Sequence, residues 1–278
     1  MIDLDFCISS YLTFRYVARK DVGWKEGFTP EFPELGDEDQ HSVSDAREVL
    51  EKLEEIIAEK CPTDRIGMLM SGGIDSAIIA ALMPKNTQLF TVNFVAPNAV
   101  DEGAPARVYA EKLGLQHHVV EVTWEDYLDC IDSLMVRKKS PLHPAEAGIF
   151  QAASAAKASG VDTLTVGNGA DSTFGGMDKL LSRDWSFDEF VERYTFLKPE
   201  LIVEKPVSML EIYKEYRANG GVNVQGFLKI LHGLGIVQMF DNAIEARGLW
   251  SASSSRRSSS WHSWPTYSLS ESDFLTRY

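Results

Sequence analysis

The sequence predicts an α/β fold, a parallel sheet flanked by helices with a helical C-terminal part. Three observations support this. Between Ile66 and Val166 short apolar runs alternate with amphipathic stretches, the pattern of strands covered by helices. Successive runs are separated by enough chain for a helical crossover, which parallel neighbours require. The first run also ends in a Gly-Gly loop, Ser71-Gly72-Gly73-Ile74-Asp75-Ser76, that opens directly into a helix.

Residues 8–36 are aromatic and Pro/Gly-rich (Tyr11, Phe14, Tyr16, Trp24, Phe28, Pro30, Phe32, Pro33) and read as irregular structure packed on something larger. From Ser42 a helix is expected, with Ser44 as its cap and Ala46, Val49, Leu50, Leu53, Ile56 and Ile57 on one buried face. Ile66–Met70 reads as a strand, Ala77–Leu82 as a helix, Leu89–Val95 as a second strand and Pro105–Leu113 as a helix. His117–Val122 reads as a third strand, Tyr127–Val136 and Ala145–Ala158 as helices, and Thr163–Val166 as a fourth strand. Further helices are expected near 186–197, 206–218, 223–234 and 236–246. Leu249–Ser263 is dominated by Ser and Arg with Trp250, Trp261 and Trp264 and has no usable period. The expected division is therefore an irregular segment over 1–40, an α/β domain over 41–248, and a disordered or non-native tail over 249–278.

With 27 Lys plus Arg against 41 Asp plus Glu, the formal net charge is −14. Such a surface repels a phosphate backbone and argues against nucleic-acid partners. Cys7, Cys61 and Cys130 are widely spaced and form no CxxC pair, so neither a zinc knuckle nor a disulfide framework is expected. Cys7 reads as a buried structural cysteine. The start, MIDLDFCISSYLTF, lacks a secretory pattern, and no stretch approaches the roughly 20 apolar residues of a membrane helix. A cytoplasmic protein without membrane contact is expected.

The hexapeptide carries the chemistry. Two glycines let backbone N–H groups approach an anion, Ser71 and Ser76 add hydroxyls, and the helix start adds its partial positive charge. A carboxylate pointing into a phosphate site repels the ligand unless a divalent cation lies between them, so Asp75 implies Mg2+. No Gly-Lys-Ser/Thr ending follows, so this is not a Walker loop. A plain Gly-Ser turn is the competing reading, and the strand-loop-helix context weighs against it.

SGGIDS resembles the pyrophosphate loop of N-type ATP pyrophosphatases, a group that includes asparagine synthetase, NAD synthetase, GMP synthetase and several tRNA-modifying enzymes. Three further stretches resemble asparagine synthetase in particular: LFTVNF followed by DEGAPARVYAEKLGLQHHVVEV, the stretch GVDTLTVGNGADSTFGGMDKL from Gly160, and YLTFRYVARKDVGWKEGF near the start. The likeness covers roughly residues 10–248. It implies an adenine nucleotide alpha hydrolase-like, Rossmann-like PP-loop fold with ATP across the carboxyl ends of the strands. Carried onto this chain, Ser71, Gly72, Gly73, Asp75 and Ser76 would hold pyrophosphate and magnesium. Met70, Val92, Val166 and Gly167 would touch adenosine, and Asp171 would be the second magnesium carboxylate, a helix N-cap being its alternative reading. The implied reaction joins a carboxylate, aspartate or a similar acid, to ammonia through an acyl-adenylate, with release of pyrophosphate.

Three departures stand against this. The chain begins almost where the family's synthetase domain would, so free ammonia or a separate glutaminase subunit is expected to supply nitrogen. Where the family has G-E-G-A-D-E, this chain has Gly167-Asn168-Gly169-Ala170-Asp171-Ser172, and Asn168 cannot accept a proton as a glutamate could. No lysine follows Lys229, although the family places a catalytic one later. A non-catalytic ATP-binding member and another PP-loop enzyme such as NAD synthetase therefore stand as alternatives. Among smaller signals, His117 and His118 read as strand residues, His143 as a loop residue that could face the acyl substrate, and Trp185, Phe187 and Phe190 as core.

Overall fold

A computed structural model describes residues 1–31, 45–61, 64–168, 184–218 and 221–251. These residues fall into two compact units, each assembled from separate stretches. One is drawn from within Met1–Glu34, Asp132–Pro144 and Met177–Met239, the other from within Leu35–Ile131, Ala145–Gly176 and Phe240–Tyr278.

The second unit is built on a parallel sheet. Strands β1 (Ile66–Leu69), β2 (Gln88–Phe94), β3 (Gln116–Val122) and β4 (Thr163–Val166) follow the predicted runs closely. The order is β3-β2-β1-β4, extended by a late strand described below, and every pairing in this sheet is parallel. The chain thus runs outward from β1 to β3 and then returns to the other side of β1. Helices α2 (Ala46–Lys60), α3 (Ile74–Leu82) and α4 (Gly103–Leu113) share one core with Ile66, Met68, Met70 and Leu89. After α5 (Trp124–Lys138), helix α6 (Glu146–Ala158) packs on β2 and β3. Gly148 makes that contact close, because a Cβ there would lie 2.7 Å from Phe94 Cζ and 3.0 Å from Val92 Cγ1.

Helix α2 starts later than the sequence suggested. Its cap is Asp45, whose Oδ1 accepts from the N–H groups of Arg47 (2.8 Å) and Glu48 (2.9 Å); Ser44 lies outside the described residues. A carboxylate satisfies two of the free amides and also complements the helix dipole, so it wins the position.

Of the tail expected from 249, Leu249–Ser251 are structured, and the rest lies outside the described residues. Leu249 is buried, and Trp250–Ser251 form a fifth strand of this sheet, β7, which follows the hairpin strands β5 (Arg217–Ala218) and β6 (Gly221–Val222) in the chain and pairs with Thr163 and Leu164 of β4. Trp250 N–H donates to the Asp162 carbonyl at 2.9 Å, Ser251 Oγ to Asp241 Oδ1 at 2.9 Å, and Lys157 Nζ to the Gly248 carbonyl at 3.3 Å.

The first unit has its own core of Phe6, Phe14, Tyr16, Trp185, Phe190, Tyr213 and Phe227, with Phe187 partly buried against it. Residues read as irregular instead form helix α1 (Leu4–Phe14), capped by Asp3, whose side chain accepts from Phe6 N–H. Its buried face includes Ser9, Ser10 and Thr13, which hydrogen-bond to backbone, so the apolar stripe that marks a helix in sequence is missing. Cys7 is fully buried here, and burial, with Asp3 nearby, pushes its thiol up to about 11. Helix α7 (Phe187–Tyr194) opens with a capping box between Ser186 and Glu189.

The helix expected near 206–218 reduces to α8 (Leu210–Lys214), followed by the antiparallel pair β5 (Arg217–Ala218) and β6 (Gly221–Val222). The two helices expected over 223–246 form one run: α9 (Val224–Leu231), a π-helical segment His232–Val237, and α10 (Gln238–Glu245).

Candidate nucleotide site at the sheet switch point

Parallel sheets bind ligands beyond the carboxyl ends of their strands, at the point where the strand order reverses. Here that point lies between β1 and β4, and β1 leads straight into Ser71–Ser76.

The loop is braced from within. Ser76, buried at 4% exposure, has its hydroxyl 2.8 Å from the Ser71 carbonyl and 3.0 Å from that of Gly73, so it donates to the loop itself. Ser71 Oγ lies 3.1 Å from Ser76 Oγ and accepts from Gly73 N–H at 3.3 Å. Ser71 itself is exposed. Helix α3 begins at Gly73 with no side chain capping its first amides. The N–H groups at a helix start point out along its axis, where an anion can meet them. Asp75 sits half-buried in that first turn.

Gly72 is required for a steric reason. A Cβ at this position would lie 2.3 Å from Pro105 Cγ, so the backbone passes against α4 with no room for a side chain. Gly167, just beyond β4, closes the other side: its Cβ would stand 3.3 Å from Ile79 Cγ1 and 3.5 Å from Ser76 Cα. The structure therefore brings Gly72, Gly73, Asp75, Ser76 and Gly167 together around the start of α3. Met70 and Val166 are buried at the strand ends, at 2% and 3% exposure, while half-buried Val92 faces the α6 side of the sheet near Gly148. Asp171 lies outside the described residues; Asn168 is described and half-buried.

Several supporting residues were not singled out from sequence. Thr91 donates to the Met70 carbonyl at 2.7 Å, fastening the strand end that launches the loop. Asn93, at the end of β2, ties down the entry to α4: its Oδ1 accepts from the N–H groups of Glu102 (3.0 Å) and Gly103 (3.1 Å), and its Nδ2 donates to Asp101 Oδ1 (2.9 Å). That bond and the Ala104 N–H hold the Asp101 carboxyl below its usual range. Glu102 Oε2 in turn accepts from Gly72 N–H at 3.3 Å.

The histidines resolve into two settings. His117 Nε2 meets Thr91 Oγ1 at 2.9 Å, and His118 stacks on Phe90 and meets Gln88 at 3.0 Å, so both are satisfied strand residues as expected. His143 belongs to the other unit, where its Nε2 lies 3.1 Å from Arg15 Nη1. Among the described residues no group of three or more His, Cys, Asp and Glu side chains is placed to hold a metal. No helix among them is long and apolar enough to cross a membrane.

A parallel sheet flanked by helices, with a Ser-Gly-Gly loop at its switch point, defines a Rossmann-like α/β protein. Within that class the chain belongs to the asparagine synthase family, whose model matches residues 48–265. It is 28% identical over 168 residues to amidase chry2 of Gibberella zeae, covering 53% of this chain and 25% of that protein. It is likewise 28% identical over 161 residues to the glutamine-hydrolyzing asparagine synthetase B of Escherichia coli, covering 49% and 28% respectively. The chain thus matches only about a quarter of the length of these relatives. Among solved structures, NH3-dependent NAD synthetase from Campylobacter jejuni aligns over 74% of this chain and 97% of its own at 16% identity and TM-score 0.33. The family assignment rests on the sequence match.

Proposed function

We propose that this chain binds ATP across the ends of β1 and β4 and activates a carboxylate for amide formation. The observation that carries the reading is the Ser71–Ser76 loop, which runs from β1 into the start of α3 at the switch point of an asparagine synthase family sheet. The donor set fits a pyrophosphate group: glycine backbone at Gly72 and Gly73, the exposed Ser71 hydroxyl, and the first amides of α3. Asp75, with Asp171 as its expected companion, fits a magnesium ion that is otherwise coordinated by phosphate oxygens and water, since Mg2+ takes one or two carboxylates in such sites. Bound there, the ion would neutralise charge on the leaving pyrophosphate.

In this reading the substrate carboxylate, from aspartate or a similar acid, attacks the α-phosphorus, pyrophosphate departs, and the acyl-adenylate is captured by ammonia. The chain's own task is to orient the phosphates and stabilise their charge through fixed amides. In this reading ammonia is the nitrogen donor. The relatives include a protein named amidase as well as asparagine synthetases, and carboxylates other than aspartate therefore stay beside it in the proposal.

A second reading, ATP binding without turnover, is favoured by Asn168, which is neutral where the family has a glutamate. ATP–pyrophosphate exchange with Mg2+ and a panel of carboxylates separates the two, because exchange reports adenylation without a nitrogen donor. Carboxylate-dependent exchange supports the ligase. Bound ATP without exchange supports the non-catalytic reading, and failure to bind Mg-ATP at all rules out both.

A further inference from the structure

The Gly72 amide, one of the donors that the loop would offer a phosphate, is already engaged. Its N–H donates to Glu102 Oε2 at 3.3 Å. Glu102 comes from the entry to α4, thirty residues along the chain, and that entry is fixed on two sides. Asn93 holds the backbone N–H groups of Glu102 and Gly103 and the carboxylate of Asp101. Pro105 stands so close to Gly72 that a Cβ there would lie 2.3 Å from Pro105 Cγ, so the loop lies directly against the start of α4. The carboxylate is thus delivered to the loop amide by a braced backbone, whereas Glu102 itself is exposed. Exposure matters, because a solvated carboxylate can swing away without a large desolvation change.

Carboxylate and phosphate oxygens are both anionic acceptors, and one N–H cannot serve both at full strength. Two anions at this distance also repel each other unless a cation intervenes.

We infer that Glu102 is an internal competitor for the nucleotide loop: its carboxylate occupies the Gly72 amide, withdraws when a polyphosphate enters, and is held in place by Asn93 as a positioning residue. The inference rests on the proposed reading that the loop holds the pyrophosphate end of a nucleotide. It assigns Glu102 a role opposite to that of Asp75. Asp75 faces the ligand through a cation, and Glu102 sets a threshold that the ligand must exceed.

The test uses the full 278-residue chain and titrates ATP in excess Mg2+ by calorimetry into the wild type, Glu102→Ala and Asn93→Ala, with circular dichroism to verify folding. Glu102→Ala is expected to tighten ATP binding about three- to tenfold, the ratio for loss of one competing hydrogen bond of ordinary net strength. Asn93→Ala changes no charge, so tightening in that variant separates contact competition from long-range repulsion. Unchanged or weaker binding in a folded Glu102→Ala overturns the competitor while leaving the loop reading intact, and so does tightening in Glu102→Ala with none in a folded Asn93→Ala. Absence of ATP binding in all three folded proteins overturns the loop reading and the competitor with it.

Discussion

His143 shows how much a single residue's setting matters. Burial, then the Arg15 guanidinium, then Lys138, depress its imidazole from 6.5 to about 4. The neutral ring accepts from Arg15, whose guanidinium also sits over the Phe196 ring, 4.8 Å from its centroid. The sign follows by linkage. Between pH 6.5 and about 4 the unfolded chain binds a proton at this position that the folded chain does not. The contribution is therefore fully present above pH 6.5 and is lost as pH falls towards 4. Urea unfolding of the wild type and His143→Gln across pH 4–7 checks this: the wild type should lose stability on acidification more steeply than the variant. Parallel pH profiles for the two would contradict it. The sequence showed His143 between two prolines but gave no sign of Arg15, which is 128 positions away. Glu102, Asn93 and Pro105 were hidden for the same reason, since only the sheet brings them to the loop. Ser71–Ser76 was legible because the chemistry is contiguous.

At the scale of elements, the strands were readable where an apolar run of four to seven residues faces helices, as in β1 to β4. β7 was not, because two residues set in Ser-rich text carry no period, and their placement is decided by partners elsewhere in the chain. Just before β7 in the chain, a buried contact ties α10 to α6: Asn242 Nδ2 donates to Glu146 Oε1 in the first turn of α6 at 2.6 Å. A carboxylate at a helix start is stabilised by the dipole, but with no water around it each hydrogen bond counts heavily. Arg247 reinforces the junction, donating to Ser154 Oγ at 2.6 Å and lying over the Phe150 ring. Asn242→Ala removes a donor from a buried acceptor and leaves a small void, so a loss of about 1–3 kcal/mol is expected. Thermal and urea denaturation measure it. A change within about 0.5 kcal/mol, the range of ordinary surface substitutions, would show that the contact does not anchor the C-terminal segment.

At the scale of the whole molecule, the expected three consecutive segments give way to two units woven from separate stretches of chain. Linear composition could not reveal this, because a unit made of the N-terminus, a middle stretch that begins inside α5 and a late helical region has no boundary in the sequence. Each unit has its own core. In the first, Phe190 is fully buried, with Phe227 edge-on at 5.1 Å and Tyr194 tilted at 4.8 Å, and Tyr213 meets both Phe190 and Phe227. In the second, the core is aliphatic, centred on Ile66, Met68, Leu89, Ala106 and Ala110. Phe190→Ala removes a large ring from a close-packed aromatic cluster, and such deletions cost about 3–5 kcal/mol. Because no residue of the sheet core belongs to that cluster, the loss should be local to the first unit. Native-state hydrogen exchange reads it residue by residue, since each cooperative unit opens with its own free energy. Amides of α7 and α9 should lose protection in the variant, while those of β1, β2 and β4 retain wild-type values. An equal fall in protection across both sets would mean that the two cores open as one, and that the sheet carrying the nucleotide loop depends on the aromatic cluster for its stability.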